Sequence, residues 1–206
     1  MPDDRALVMR RVGAALSSLR SREPLPVHPE DGTGASSVCA SAARANPVAA
    51  FVTQLASVGG RAFEAPAPLA EWLTARGFLR GYCDREALGA LAGAFAPPLS
   101  LDTRFMADRI DEYDFGITRA AGAIAETGTI ILNDALTSRR LGSLAPWVHV
   151  AVLKRSDIVP TVSDAIRALG TDPYVVWCTG PSKTADVEGI LIQGVHGPGE
   201  QLVLLT

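Results

Sequence analysis

The chain is poor in the residues that build metal and redox centres. It has three cysteines in 206 residues, Cys39, Cys83 and Cys178, and three histidines, His28, His149 and His196. The cysteines are far apart and form no C-x-x-C pair. Zinc and iron–sulfur sites need several thiolates or imidazoles at short spacing, so no metal site, no iron–sulfur cluster and no cofactor is expected in this chain. An odd number of isolated cysteines fits a reducing compartment better than a disulfide framework. There is no basic excess either: 19 lysines and arginines face 22 acidic residues, for a net charge of −3 and an isoelectric point near 5.6. That excludes the electrostatic footprint of a nucleic-acid binder. No apolar run approaches the length of a membrane span. The opening MPDDRALVMRRVGAALSSLRS lacks the apolar stretch of a secretory signal, and Asp3 and Asp4 argue against a transit peptide. A cytoplasmic protein is the expectation.

What the chain does have is enough apolar material, 48% of residues, to bury the core of one domain. Residues 1–47 read as an N-terminal helix and flexible loop. Leu7, Val8, Val12, Ala15, Leu16 and Leu19 recur at helical spacing from Asp4, a stripe that packs on its own domain or on another subunit. Ser21–Pro47, rich in Pro, Ser, Gly and Ala, reads as a linker. From Val48 to Thr206 helix and strand patterns alternate in the rhythm of a parallel α/β domain. Helices are expected over Val48–Val58, Leu69–Arg76, Arg85–Phe95 and Ser156–Leu169, with strands at Arg61–Ala65 and Leu79–Cys83. The apolar runs beginning at Asp114, Ile130, Val148, Tyr174 and Leu202 are expected to form one sheet core. An alanine-rich helix between Thr118 and Glu126, and a short helix over Ala185–Ile192, complete the expectation.

Three small-residue segments carry the candidate chemistry. In A-E-T-G-T, Glu126 sits between small neighbours with Thr127, Gly128 and Thr129. A carboxylate in such a turn serves as base or nucleophile, or it hydrogen-bonds nearby amides and hydroxyls to fix the turn. In T-G-P-S-K-T-A-D, Gly180, Ser182, Lys183, Thr184 and Asp186 follow a strand. Free amides at a helix start, with a lysine beside them, suit a carboxylate or phosphate; the same residues also make a capping turn. The spacing is not that of a Walker A loop. In G-V-H-G-P, His196 lies between Gly194 and Gly197, where an imidazole donates to a substrate oxygen or shuttles a proton, or is an idle surface residue. Arg139 and Arg140 precede L-G-S-L-A-P-W, and Arg140 is the better candidate for clamping an anion. His149 alternates with apolar residues on a strand and fits a satisfied core histidine as well as a site residue.

The segments GITRAAGAIAETGTIIL, RRLGSLAPWVHVAVL, IVPTVSDAI, TGPSKTADVEGILIQGVHGP and LVLL resemble the LUD-domain family, in its lactate utilization protein C (LutC/YkgG) branch. The resemblance runs from about Asp114 to the end of the chain. The family pattern has arginine where this chain has Lys183, which keeps the charge and loses the bidentate fork. The resemblance implies a three-layer α/β/α fold with a mostly parallel sheet, similar to the CoA-transferase, ribose-phosphate isomerase and formyltetrahydrofolate cyclo-ligase group. It also implies a part in oxidising L-lactate to pyruvate alongside iron–sulfur partner subunits. In CoA transferases a glutamate before an apolar strand carries covalent chemistry, and Glu126 is placed similarly by analogy of fold. The resulting expectation is a lactate-utilization component that binds a small anionic ligand, with Glu126 and His196 as its reactive groups. The alternatives are a non-catalytic assembly or regulatory subunit for iron–sulfur proteins, and an isomerase or acyl-transfer enzyme of the wider fold group.

Overall fold

The computed structural model of the protein describes residues 4–17, 38–91, 93–133, 140–169, 174–185 and 190–206. The chain divides into two units, residues 1–35 and 36–206. In the first, helix α1 (Asp4–Ser17) is a single exposed helix whose Leu7, Val8, Met9, Val12 and Leu16 face solvent. No described helix is long and apolar enough to cross a membrane.

The second unit opens with helices α2 (Val38–Ala45) and α3 (Pro47–Ser57). The Asn46 side chain accepts the Ala49 amide and Pro47 supplies the first helical residue, a strong start signal. There follow β1 (Arg61–Phe63), α4 (Pro66–Ala75), β2 (Arg80–Cys83), a 3-10 segment at Arg85–Leu91, β3 (Ser100–Asp102) and β4 (Phe115–Arg119). Next come β5 (Gly122–Ile124), β6 (Thr129–Asn133), α5 (Arg140–Leu144), β7 (Val148–Leu153), β8 (Ile158–Val159) and α6 (Val162–Leu169). The chain ends with β9 (Val175–Cys178), β10 (Lys183–Ala185), β11 (Leu191–Gln193) and β12 (Glu200–Leu205).

Six strands form a wholly parallel sheet in the order β1-β12-β7-β4-β2-β3. Its central strands are buried on both faces, as parallel strands must be when layers cover each side. Val148, Val150, Val152, Leu202 and Leu204 point to one face and meet Leu69, Leu73 and Leu91. Ala151, Leu153, Val203 and Leu205 point to the other and meet Phe51 and Leu55 of α3. The fold is therefore α/β, with a mostly parallel sheet flanked by helices. The second covering layer also contains a small sheet, β8-β5-β6-β9, in which β6 runs antiparallel to both β5 and β9.

Several expectations change. The Ile130 and Tyr174 runs belong to the small sheet, not the parallel one. The alanine-rich stretch forms β5, because antiparallel pairing with β6 and burial of Ala123 and Ile124 outweigh alanine's helix preference. Ala185 and Leu191–Gln193 belong to the β10–β11 hairpin, not to a helix. Arg85–Leu91 is 3-10, and Ser156–Leu169 breaks into a 3-10 turn, β8 and α6. Helix α2 occupies the end of the stretch read as linker, and its Ala43 is buried against α3's apolar face. Residues 18–37 lie outside the described residues.

One close contact fixes α5 on the sheet. A Cβ on Gly116 would come within 1.7 Å of the Gly142 carbonyl oxygen. Gly116→Ala is therefore expected to cost about 1–3 kcal/mol through forced overpacking, read as a lower urea midpoint with an unchanged denaturant slope.

Candidate functional site

The first segment, A-E-T-G-T, is the turn of the β5–β6 hairpin. Gly128 has φ +65° and lies so close to α3 that a Cβ would sit 2.4 Å from the Leu55 nitrogen. The glycine is there to let the turn dock on the helix backbone. Glu126 is half-buried, and its Oε1 accepts the Val162 amide at 2.7 Å. Val162 is the first residue of α6, so the carboxylate occupies one of the orphan donors of that helix start. Thr161 and Asp164 complete the cap, with the Thr161 hydroxyl donating to Asp164 at 2.7 Å. That bond and the nearby arginines hold the Asp164 carboxyl below its ordinary range.

The second and third segments come together. The Ser182 amide donates to the Pro198 carbonyl at 2.8 Å, and the Gly194 amide donates to the Ser182 carbonyl at 2.9 Å. Gly197 is tightly packed on Ser182, where an added Cβ would lie 3.3 Å from that of Ser182, while Trp147 covers Gly194. Between the loops lies a cleft of about 440 Å³. It is lined by Ser143 and Leu144 of α5, by Val176–Thr179 along β9, by Gly180–Lys183, by His196–Pro198 and by Gln201. Among the described residues, Lys183 and His196 are its only lysine, arginine or histidine, and no carboxylate lines it. His196 is exposed. Lys183 Nζ donates to the Val58 carbonyl at 3.2 Å, at the carboxyl end of α3, where a cation is favourable.

Of the residues picked out in the sequence, Gly180, Ser182, Lys183, His196 and Gly197 therefore line one cleft. Thr129 reaches its wall indirectly: Thr127, Thr129 and Thr179 form a hydroxyl chain with 2.7 and 2.8 Å links. Glu126 is not among the lining residues. Arg140 stacks its guanidinium 5.2 Å from the Tyr174 ring, and Thr184 pairs with Ile192 in the hairpin. Arg139 and Asp186 lie outside the described residues. Cys178 lines the cleft half-buried, and burial pushes its thiol up to about 11, which keeps it protonated.

Sequence reasoning passed over Ser143, Thr179 and Gln201, and left His149 open. Gln201 and His149 are neighbours in register on β12 and β7, both almost fully buried. His149 Nε2 lies 2.8 Å from the Thr118 hydroxyl, and its Nδ1 lies 3.0–3.1 Å from the Gln201 amide. Polar residues inside strands otherwise made of valine and leucine were the available signal.

A family model described as the LUD domain matches residues 87–206, more than half of the chain. "Lactate utilization protein C" of Deinococcus radiodurans is 35% identical over 127 residues, 56% of this chain and 60% of that protein. The protein of the same name from Bacillus subtilis is 33% identical over 106 residues, 48% and 44% respectively. The chain thus spans less than two thirds of the length of these relatives. Among solved structures, a crystal structure of a DUF162 family protein from Deinococcus radiodurans superposes with a TM-score of 0.57 at 25% identity, over 79% of this chain and 97% of that one.

Two predictions follow from the geometry. Glu126→Ala removes a helix cap and is expected to cost about 1 kcal/mol of stability, measured by denaturation, without changing ligand affinity at the cleft. Burial lowers the His149 pKa from 6.5 to about 4. Between those values the unfolded chain takes up a proton that the folded one refuses, so stability falls as pH drops from 6.5 towards 4. The loss is on the order of 3 kcal/mol at 1.36 kcal/mol per pH unit. Unfolding at pH 7 and pH 4.5 should show a much smaller difference in His149→Gln.

Proposed function

The chain belongs to the LUD-domain family, in the lactate utilization protein C branch, and on that basis we propose that it is a component of lactate utilization whose cleft binds a small anion. The ligand is a carboxylate or phosphate held between the 179–184 and 194–198 loops. The observation that carries this reading is the composition of the cleft wall: a lysine, a histidine and the Thr179 and Ser182 hydroxyls, with no carboxylate beside them among the described residues. An anion entering such a wall exchanges water for charge-assisted hydrogen bonds and meets no like charge. Lys183 supplies the attraction, the hydroxyls supply donors, and exposed His196 is placed to donate to a ligand oxygen or exchange a proton with it.

The reaction served is oxidation of L-lactate to pyruvate, with electrons passing to iron–sulfur partner subunits. Glu126 has no direct part in this scheme; it holds the start of α6.

A second reading, a non-catalytic subunit that assembles or regulates those partners, is favoured by one feature. Ile190, Leu191, Ile192 and Val195 are all exposed on and beside the β10–β11 hairpin, an apolar concentration of the kind that marks partner surfaces.

Lys183→Ala separates the anion reading from a purely local role for the lysine. Calorimetry with L-lactate, pyruvate and inorganic phosphate is expected to show about tenfold weaker binding of whichever probe the wild type takes, the size of one charge-assisted hydrogen bond. Equal affinity in the variant would reduce Lys183 to its contact with Val58.

A further inference from the structure

The floor of the cleft holds a group whose hydrogen-bonding direction is fixed from beneath. Both edges of β12 are paired, to β1 and to β7, so Gln201 reaches the cleft through its side chain. The residue is 2% exposed. Its Nε2 has three acceptors, all inside the protein: His149 Nδ1 at 3.0 Å, the Leu202 carbonyl at 3.3 Å and the His149 carbonyl at 3.4 Å. Only the amide nitrogen can satisfy carbonyls, so the two N–H groups are spent inwards. Its Oε1 lies 3.1 Å from His149 Nδ1.

Two proton arrangements exist on His149, and they agree about Gln201. If Nδ1 carries the proton, it donates to Oε1, Nε2 accepts from the Thr118 hydroxyl at 2.8 Å, and Oε1 keeps one lone pair. If Nε2 carries it, Nδ1 accepts from the amide nitrogen and Oε1 keeps both. In each case the group left over for the cleft is an acceptor and never a donor. Because His149 is buried and neutral, it cannot reverse this by gaining a second proton in the neutral range. Thr118 holds the far end of the chain within a fully buried environment.

We infer that Gln201, oriented by His149 and Thr118, selects for a hydroxyl donor on the anion bound in the cleft. This inference rests on the anion-binding reading above. Lys183 and the loop hydroxyls receive the charged end; the Gln201 oxygen receives a hydroxyl hydrogen from the same molecule. A ligand with a carbonyl oxygen in that position sets two acceptors against each other. The cleft therefore discriminates a hydroxy acid from the corresponding oxo acid. Gln201 is the specificity-determining residue, and His149 and Thr118 are positioning residues.

L-lactate and pyruvate form the matched pair of probes, with inorganic phosphate as an anion that lacks the carbon skeleton. Calorimetry on the full chain is expected to show lactate bound more tightly than pyruvate by roughly tenfold, the value of one hydrogen bond gained and one repulsion avoided. Gln201→Met keeps the length and removes the acceptor, and the ratio should fall to about one. Gln201→Glu keeps the length but loses the two N–H groups that hold the side chain against His149 and Leu202, and it adds a negative charge. Both probes should then weaken and the ratio should fall towards one. Near-ultraviolet circular dichroism establishes folding, and if Gln201→Met fails to fold, the Gln201→Glu ratio decides. Equal binding of the pair by the wild type, or a preference that survives in Gln201→Met or in Gln201→Glu, would overturn the inference. Phosphate binding without discrimination would overturn it and leave the anion reading standing. Failure of all three probes to bind the wild type would overturn both.

Discussion

The carboxyl-terminal half of helix α3 is the seat on which the small sheet and the cleft loop both rest. Gly128 brings the β5–β6 turn against the backbone of Gln54 and Leu55, and Gly180 brings the 179–184 loop against the Val58 carbonyl. A Cβ at either position would fall 2.4 Å from a backbone atom of the helix, a distance no side-chain rotation relieves. Both glycines also have positive φ, 65° and 74°. Lys183 then closes on the same helix end through the Val58 carbonyl. The cleft's position is therefore set by how closely two turns can approach one helix.

The loop so anchored is tied in turn to the 194–198 loop through Ser182, and that loop sits under Trp147 at the entrance to β7. Each tie is a backbone hydrogen bond or a ring laid over a glycine, so the wall of the cleft is built from rigid parts. Such pre-organisation matters for a small ligand, which has few contacts with which to offset the cost of ordering a loop. Beneath it, the polar residues Thr118, His149 and Gln201 replace the valines and leucines found elsewhere on that face of the sheet. A buried polar chain of this kind is tolerated only when it is satisfied, and satisfaction fixes its direction.

Much of this was present in the sequence where the physics is local. The helical pattern of α3 and the apolar runs of β7 and β12 located those elements to within two residues. Small-residue composition singled out the Lys183 and His196 loops, and the fold brings those two to one cleft. Pairing decisions were not local. The Ala120–Ala125 stretch has the composition of a helix and becomes a strand because β6 lies beside it. The Lys183–Ala185 segment has the composition of a helix start and becomes half of a hairpin. Glu126 was singled out from its small-residue turn and then by analogy of fold, and its Val162 contact, 36 positions along the chain, could be seen only once α6 was placed. Gln201 was passed over because it stands beside Glu200 at the start of E-Q-L-V-L-L, and nothing local says that His149 lies opposite it.

Mapping backbone amide shifts by nuclear magnetic resonance during titration with L-lactate, pyruvate or inorganic phosphate tests the location of the proposed anion site without any mutation. The account predicts that the amides of Thr179–Thr184 and Gly194–Gly199 move together and saturate at one concentration, while those around Glu126 and Val162 stay in place. Shifts centred on the β5–β6 turn and the start of α6, with the two loops unmoved, would contradict it.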